Sequence, residues 1–469
     1  KYLLNEMKDT EREKRESNEN MQVVDVNSLA VIENRSLGAE MVINSVWKRL
    51  GFEKILSDIG FSKRQKAIAK IVIAGRLIEE GSELNTYNWF KKRSAISELV
   101  DFNMNGVGKD GFYDIADELL EYKCDIENQL YKIEKNELSL NNSVYLYDLT
   151  NTYFEGQCLN NELAQRGKSK EKRSDCPLVT LALVVDGNGF PVMSQIYEGN
   201  KSEPQSLEDV LSRLERDASP MLSLIKPTMI MDRGIATKNN LDLLKDRGYP
   251  YTIIERRAKQ RDYSDEFNDL SSFECIGNEK DIVYVKKIEF GEIAKVLCCS
   301  YKKKEKERSM DRNKEERFIQ TLESIQRRIR GGNLKRLDKV WENIGRAKQK
   351  YPTIWKYYEI VVNTDNDDKK AVSIIWNKRE EVRKEREKLT GCYVIESTHN
   401  ELSAKEIWKL YMTLNNVEKA FKALKSQLGL RPVYHQSAKR TRGHLFIGVL
   451  AYHILITIEN GLRIKNDHR

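Results

Sequence analysis

The sequence predicts an α/β protein: a mixed sheet flanked by helices, with an all-α region before it and a β-containing insertion ahead of its last helices. Three observations predict this. Apolar residues recur at helical spacing from about 36 to 138, as in Ala67, Ile68, Ile71, Ile73, Leu77 and Ile78, with almost no strand signal. The pattern changes at Ser143, where short β-rich runs begin. Strands and helices then alternate until a charged stretch breaks the rhythm.

Taken in order, residues 1–35 form a polar N-terminal segment, expected to be mobile, and 36–140 a helical domain. Residues 141–256 hold the first part of the sheet. Runs 144–149, 178–185 and 190–197 read as strands, and Asp186-Gly187-Asn188-Gly189 between the last two reads as a hairpin turn. A helix near 204–214, a strand at 228–232, a helix at 237–246 and a strand at 251–255 follow. A three-strand meander thus passes into β-α-β alternation. Residues 257–397 form the insertion, with strands at 358–363, 371–376 and 392–396, and helical residues 398–469 complete the sheet domain.

Composition bounds the function. Of 469 residues, 40% are hydrophobic and 32% charged, which excludes a wholly disordered chain and a membrane-embedded one. The longest apolar stretch, 445–458, is interrupted by His453 and too short to span a bilayer, so it reads as a buried helix with no membrane partner. No basic-then-apolar leader is visible, so a cytoplasmic chain is expected. Seven cysteines without a CxxC pair point to reduced thiols. Five histidines show no zinc-site spacing, which leaves carboxylates as metal ligands.

The net charge is +8, and residues 301–350 alone carry 17 basic against 8 acidic side chains. That segment reads either as a solvated charged helix or as a phosphate-contacting arm. Trp89-Phe90-Lys91-Lys92-Arg93 has the same two readings: a DNA contact, or a core edge with a basic flank.

Three acids stand out. Alternation in the first strand puts Val144, Leu146 and Asp148 on one face, so this carboxylate, read at the strand's end, shares its face with apolar neighbours. Such a carboxylate is costly unless paired or metal-bound, although a strand-end turn residue is the plainer reading. Asp232 ends a second strand before Arg233-Gly234, with Thr237 able to cap the next helix; the plainer reading is a turn aspartate paired with Arg233. Glu418 lies in a helix with core stripe Ile407, Leu410, Leu414, Val417, Phe421, Leu424 and Leu428. Tyr411, Glu418 and Lys425, seven apart, form a second stripe beside it. Its plainer reading is a surface glutamate paired with Lys422.

These blocks resemble the DDE-type transposases of bacterial insertion sequences, in the group with a Tyr-x2-Arg-x3-Glu-x6-Lys signature. Tyr411, Leu414, Glu418 and Lys425 match that spacing, with leucine where many members have arginine. Asp148-Leu149-Thr150-Asn151-Thr152, Asp232-Arg233-Gly234, Arg431-Pro432-Val433-Tyr434-His435 and Arg442-Gly443-His444 also resemble blocks of the group. The likeness covers about residues 140 to 460. It implies an RNase H-like fold with a β-rich insertion between the second aspartate and the glutamate, for which the 186 residues from Asp232 to Glu418 leave room.

The resemblance also implies the chemistry. Asp148, Asp232 and Glu418 become the catalytic residues and metal ligands of two Mg²⁺ ions, with Mn²⁺ able to substitute. Water cuts at the element end, and the freed 3′-hydroxyl attacks another phosphodiester. Tyr411 and Lys425 would contact phosphates near the cleaved end, and Arg233, His435, Lys91, Lys92 and Arg93 are further candidate contacts to double-stranded DNA. Synapsis of two ends implies a homodimer, and the implied setting is the bacterial nucleoid. The alternatives are an RNase H-like nuclease or resolvase without strand transfer, and an inactive DNA-binding descendant.

Overall fold

The computed structural model describes residues 34–140, 143–217, 226–277, 281–365 and 369–465. The polar segment expected over 1–35 lies almost wholly outside them. Among the described residues six α-helices come first: α1 (Gly38–Arg49), α2 (Phe52–Asp58), α3 (Lys63–Ile78), α4 (Glu83–Lys92), α5 (Lys109–Glu121) and α6 (Lys123–Leu138). Ser62 and Gln65 close a capping box at the start of α3, satisfying N–H groups the helix leaves open. Trp47 stacks on Phe52 with ring centroids 4.2 Å apart, anchoring α1 to α2.

The sheet follows with β1 (Val144–Tyr153), β2 (Leu178–Asp186) and β3 (Pro191–Glu198), then α7 (Leu207–Asp217), β4 (Thr228–Met231), α8 (Lys238–Asp246) and β5 (Tyr251–Ile254). The hairpin forms as read: Asp186 Oδ1 accepts from the N–H groups of Asn188 and Phe190. β1 runs four residues past the end read from sequence, because Thr150 and Thr152 go on pairing with β2 opposite Leu181 and Val179. Asp148 is therefore inside a strand rather than at its end.

The next segment holds α9 (Ser264–Asn268), β6 (Glu274–Ile276), β7 (Val283–Phe290) and β8 (Ile293–Ser300). After it come α10 (Tyr301–Arg330), α11 (Leu337–Lys350), β9 (Tyr358–Thr364), β10 (Ala371–Lys378), α12 (Glu380–Lys388) and β11 (Cys392–Ser397). The sequence pattern does not single out β6, β7 and β8, yet they join the main sheet. Among the described residues it has nine strands in the order β3-β2-β1-β4-β5-β11-β8-β7-β6, with β1, β4 and β5 parallel. Residues 301–391 stand apart on their own core of Phe318, Leu322, Ile325, Val340 and Ile344, closed by the β9–β10 hairpin. The apolar side chains of α10 and α11 face each other, and most of their Lys and Arg face water, as both readings of the basic segment require.

Three helices end the chain: α13 (Ala404–Met412), α14 (Asn415–Ser426) and α15 (Ala438–Ile464). The single helix expected around Glu418 is broken at Thr413 and Leu414. There the bonds tighten to i→i+3, Asn416 N to Thr413 O at 2.8 Å and Val417 N to Leu414 O at 3.1 Å, and the axis is reset between Tyr411 and Glu418. α15 is long and apolar enough to cross a membrane by length and composition, but 67% of its apolar window is buried against protein. It packs on α1, α3 and α5 as well as β3 and α14, and so is the shared core element of the helical region and the sheet.

Candidate active site

The sheet brings two of the acids together by register. β1 and β4 are parallel, with Tyr147 opposite Met231 as their last pair. Asp148 and Asp232 are the next residues on each strand. β4 stops there, and its chain turns through Asp232, whose carbonyl accepts from Ile235 and Ala236 before Thr237 caps α8. The notch beside β1 left by that exit is where both carboxylates lie. α14 packs over β1 and β2 and carries Glu418.

Tyr411 ties the third acid to the first two. Its side chain is 8% exposed, and burial raises the hydroxyl's pKa most. The negative charges of Asp232, Glu418 and Asp148 all raise it further, and Arg233 opposes them. One buried phenol therefore senses all three carboxylates. Asp148 is 19% exposed, and burial, the largest cause, pushes its carboxyl up to about 6. Lys170 and the Leu149 N–H, which donates to Oδ1 at 2.7 Å, pull it back; Glu203 and Asp232 push it higher. Asp232 is exposed, and its Oδ1 accepts from the Arg233 N–H at 2.8 Å. The Asp232–Arg233 side-chain pair of the plainer reading does not appear among the ion pairs of the described residues. Glu418 is exposed and carries no ion pair or side-chain hydrogen bond among them, so its pairing with Lys422 is absent too.

The remaining sequence candidates fall in three places. Lys425 is drawn inward, with Nζ 3.1 Å from Glu171 Oε1, a carboxylate shared with Arg431. Burial lowers the Lys425 pKa. Arg233 is exposed on the Asp232 turn. His435 points into the helical region, with Nε2 2.9 Å from Glu83 Oε2. Lys91, Lys92 and Arg93 are exposed at the end of α4, whereas Trp89 and Phe90 belong to the core; Arg93 pairs with Glu79 at 2.7 Å.

Sequence reasoning missed Lys170, Glu171 and Glu203. The Lys170 ammonium stands 3.7 Å from Asp148 and 3.2 Å from Glu203, and also donates to the Leu149 carbonyl. Glu203 comes from the 3₁₀ turn before α7, and its Oε2 would lie 2.4 Å from a Cβ on Gly234, so its carboxylate reaches the Asp232 turn. The available signal was the charged run 168–173 between two predicted strands; its direction is set only when β1 and β2 pair.

A second group of possible ligands, Glu83, His435 and His444, has donor atoms within 4.8 Å of one another. Arg76 lies among them, 3.0 Å from Glu83 Oε1 and 2.9 Å from His444 Nδ1. A buried guanidinium already balances Glu83, so this is an ion-pair network joining α3 and α4 to α15 and does not suit a cation. The Asp148 group differs: its oxygen donors outnumber the one ammonium at their centre, and hard divalent cations favour such oxygens. Between α10 and α11 a groove of about 520 Å³ is lined by Arg317, Arg328, Arg346 and Lys350 with no acidic residue.

Carboxylates gathered at the ends of central strands of a mixed sheet suit the class of enzymes that work on phosphate esters through metal ions. The family model described as the transposase DDE domain matches residues 142–454, about two thirds of the chain. The chain belongs to that family. It is a DNA transposase, an enzyme that binds DNA, cleaves it and transfers strands, and enzymes of the family use divalent metal ions. Among solved structures it is similar to the piggyBac transposase in a synaptic complex with hairpin DNA, at 9% identity and a TM-score of 0.41, over 91% of this chain and 74% of that one. No curated protein matches the sequence.

Proposed function

We propose that Asp148, Asp232 and Glu418 are the catalytic carboxylates of this transposase and hold two Mg²⁺ ions, with Mn²⁺ able to replace them. The observation that carries this is the consecutive register of Asp148 and Asp232 together with the packing of α14, which carries Glu418, over β1 and β2. Bound at this site, a pair of divalent ions activates the attacking oxygen and stabilises charge on the leaving one. The chain's own residues do the rest. Asp148, the least exposed of the three, would hold metal together with Asp232 and Glu418. Lys170 neutralises Asp148 and Glu203 before metal enters. Tyr411 and Lys425 orient the phosphates next to the scissile bond, Lys425 after exchanging Glu171 for a phosphate.

The substrate in this reading is the ends of the insertion sequence that carries the coding region, held as a synaptic pair by a homodimer in the bacterial nucleoid. Arg233, His435, Lys91, Lys92, Arg93 and the basic groove are candidate contacts to phosphates. The test is cleavage of a plasmid carrying the element's flanking ends, in Mg²⁺ and in Mn²⁺, with wild type beside Glu418→Ala. Cuts at those ends with wild type alone are expected. Equal cutting by Glu418→Ala removes that residue from the site, and cutting that ignores the ends refutes the substrate assignment.

A further inference from the structure

The 91 residues of the insertion unit, 301–391, leave the sheet at the end of β8 and return at the start of β11. The two crossings are neighbours: Cys299 lies opposite Cys392 in the antiparallel β8–β11 pair. Ser300 N donates to Gly391 O at 3.1 Å, so the next pair along, Cys299 and Cys392, is the non-hydrogen-bonded kind; the Cys392 N–H goes instead to Leu389 O. Directly opposed residues of that kind have Cα atoms about 4.5 Å apart, inside the roughly 4.4–6.8 Å that a disulfide spans. Both side chains share one face, packed with Leu297, Val394, Phe267 and Phe273. Neighbouring Cys298 faces the opposite core.

The neck is held tightly. Gly391 has a φ of +82°, and a Cβ there would lie 2.6 Å from Lys304 Cβ, so only glycine lets the returning chain pass under the first turn of α10. Its N–H donates to Glu307 on that helix at 2.9 Å.

We propose that Cys299 and Cys392 are an oxidisable dithiol at this neck, which peroxides convert to a cross-strand disulfide that staples the insertion unit to the sheet. Cys299 is the attacking thiol. The Cys392 thiol opposite it and the ammonium groups of Lys304 and Lys303 lower its pKa to about 7 against the effect of burial, whereas the Cys392 thiol donates to the Lys388 carbonyl at 3.7 Å. In the first step the Cys299 thiolate attacks a peroxide oxygen. The O–O bond breaks, hydroxide leaves and takes up the thiol's proton as water, and Cys299 becomes a sulfenic acid. The Cys392 sulfur then attacks that sulfur, the S–O bond breaks, and the departing hydroxide takes the Cys392 proton as a second water. Two thiols are oxidised by two electrons and one peroxide is reduced to two waters.

The experiment treats the full-length protein with hydrogen peroxide, blocks free thiols and maps peptides without reduction by mass spectrometry. Oxidation of exposed Cys275 is the control for delivery of the oxidant. Wild type and Cys298→Ser are expected to give a linked peptide pair containing Cys299 and Cys392, lighter by two hydrogens and separated by dithiothreitol. Cys299→Ser and Cys392→Ser are expected to give none. Oxidation of wild type should also raise its Tm reversibly, and that rise should be absent in Cys392→Ser. Failure of the link to form while Cys275 is oxidised overturns the proposal, as does a link to Cys392 that survives in Cys299→Ser. Cleavage activity enters neither outcome, so the result stands apart from the active-site assignment.

Discussion

Replacing Asp148 by asparagine should make the metal-free protein more stable while removing its activity. The folded-state pKa of Asp148 is raised from 3.8 to about 6, so folding opposes ionisation of this group. At roughly 1.4 kcal/mol per unit, that is about 3 kcal/mol lost from folding stability at pH 7.5. The sign follows from linkage: stability linked to this carboxyl is fully present below its unfolded pKa and is lost as pH rises through about 6. Asparagine keeps the shape without the charge, and the opposing attraction of Lys170, which is 42% exposed, is already contained in the net value of about 6. A net gain of about 1–3 kcal/mol remains, or about 1–3 °C in Tm for a chain of 469 residues. The assay is thermal unfolding of both proteins in chelator from pH 7.5 to 4. The advantage of Asp148→Asn should fall to about half at pH 5 and vanish near pH 4. Added Mg²⁺ should stabilise wild type and leave the variant unmoved. If the variant is less stable than wild type at pH 7.5, or its advantage is independent of pH, the desolvated, like-charged environment assigned to Asp148 is wrong.

Asp232→Ala and Glu418→Ala should abolish cleavage at element ends with DNA affinity within about threefold of wild type, because phosphate contacts from elsewhere carry the affinity; filter binding beside a cleavage assay checks both. Glu83→Leu should cost about 3–5 kcal/mol in urea unfolding, since it leaves Arg76 buried without its carboxylate, and Arg76→Met/Glu83→Leu should be less harmful than Glu83→Leu alone. An additive double mutant would show that the network is not coupled. Exchanging Arg317, Arg328, Arg346 and Lys350 for glutamine should flatten the dependence of log Kd on log salt by up to about 3–4 units if all four meet phosphates. An unchanged slope would make the groove a solvated face.

Much of the site's frame was legible in the chain. The alternation Val144, Leu146, Asp148 puts this carboxylate on a face with apolar neighbours, although β1 is covered on both faces, with Tyr145, Tyr147 and Leu149 buried on the other, and the β-rich run before Asp232 reports a strand that stops there. What could not be read was mostly long-range. Glu203 and Lys170 reach Asp148 from loops whose course depends on β1 and β2 pairing. The break at Thr413 and Leu414 has no Gly or Pro to announce it, and a continuous apolar stripe runs through it. β7 is a different kind of miss. Val283 and Val285 alternate as a strand should, but Lys286, Lys287 and Glu289 give its second half the look of the charged stretch that follows.

α15 sets the order in which the enzyme comes into being. As the chain leaves the ribosome, both aspartates are made long before the glutamate, and the helix that fills the core between α3, α5 and β3 follows the glutamate. A product ending anywhere before Ala404 lacks both Glu418 and the central helix, so its apolar faces stay open and, on the proposed assignment, its metal site stays incomplete. On that assignment, premature termination disarms the transposase.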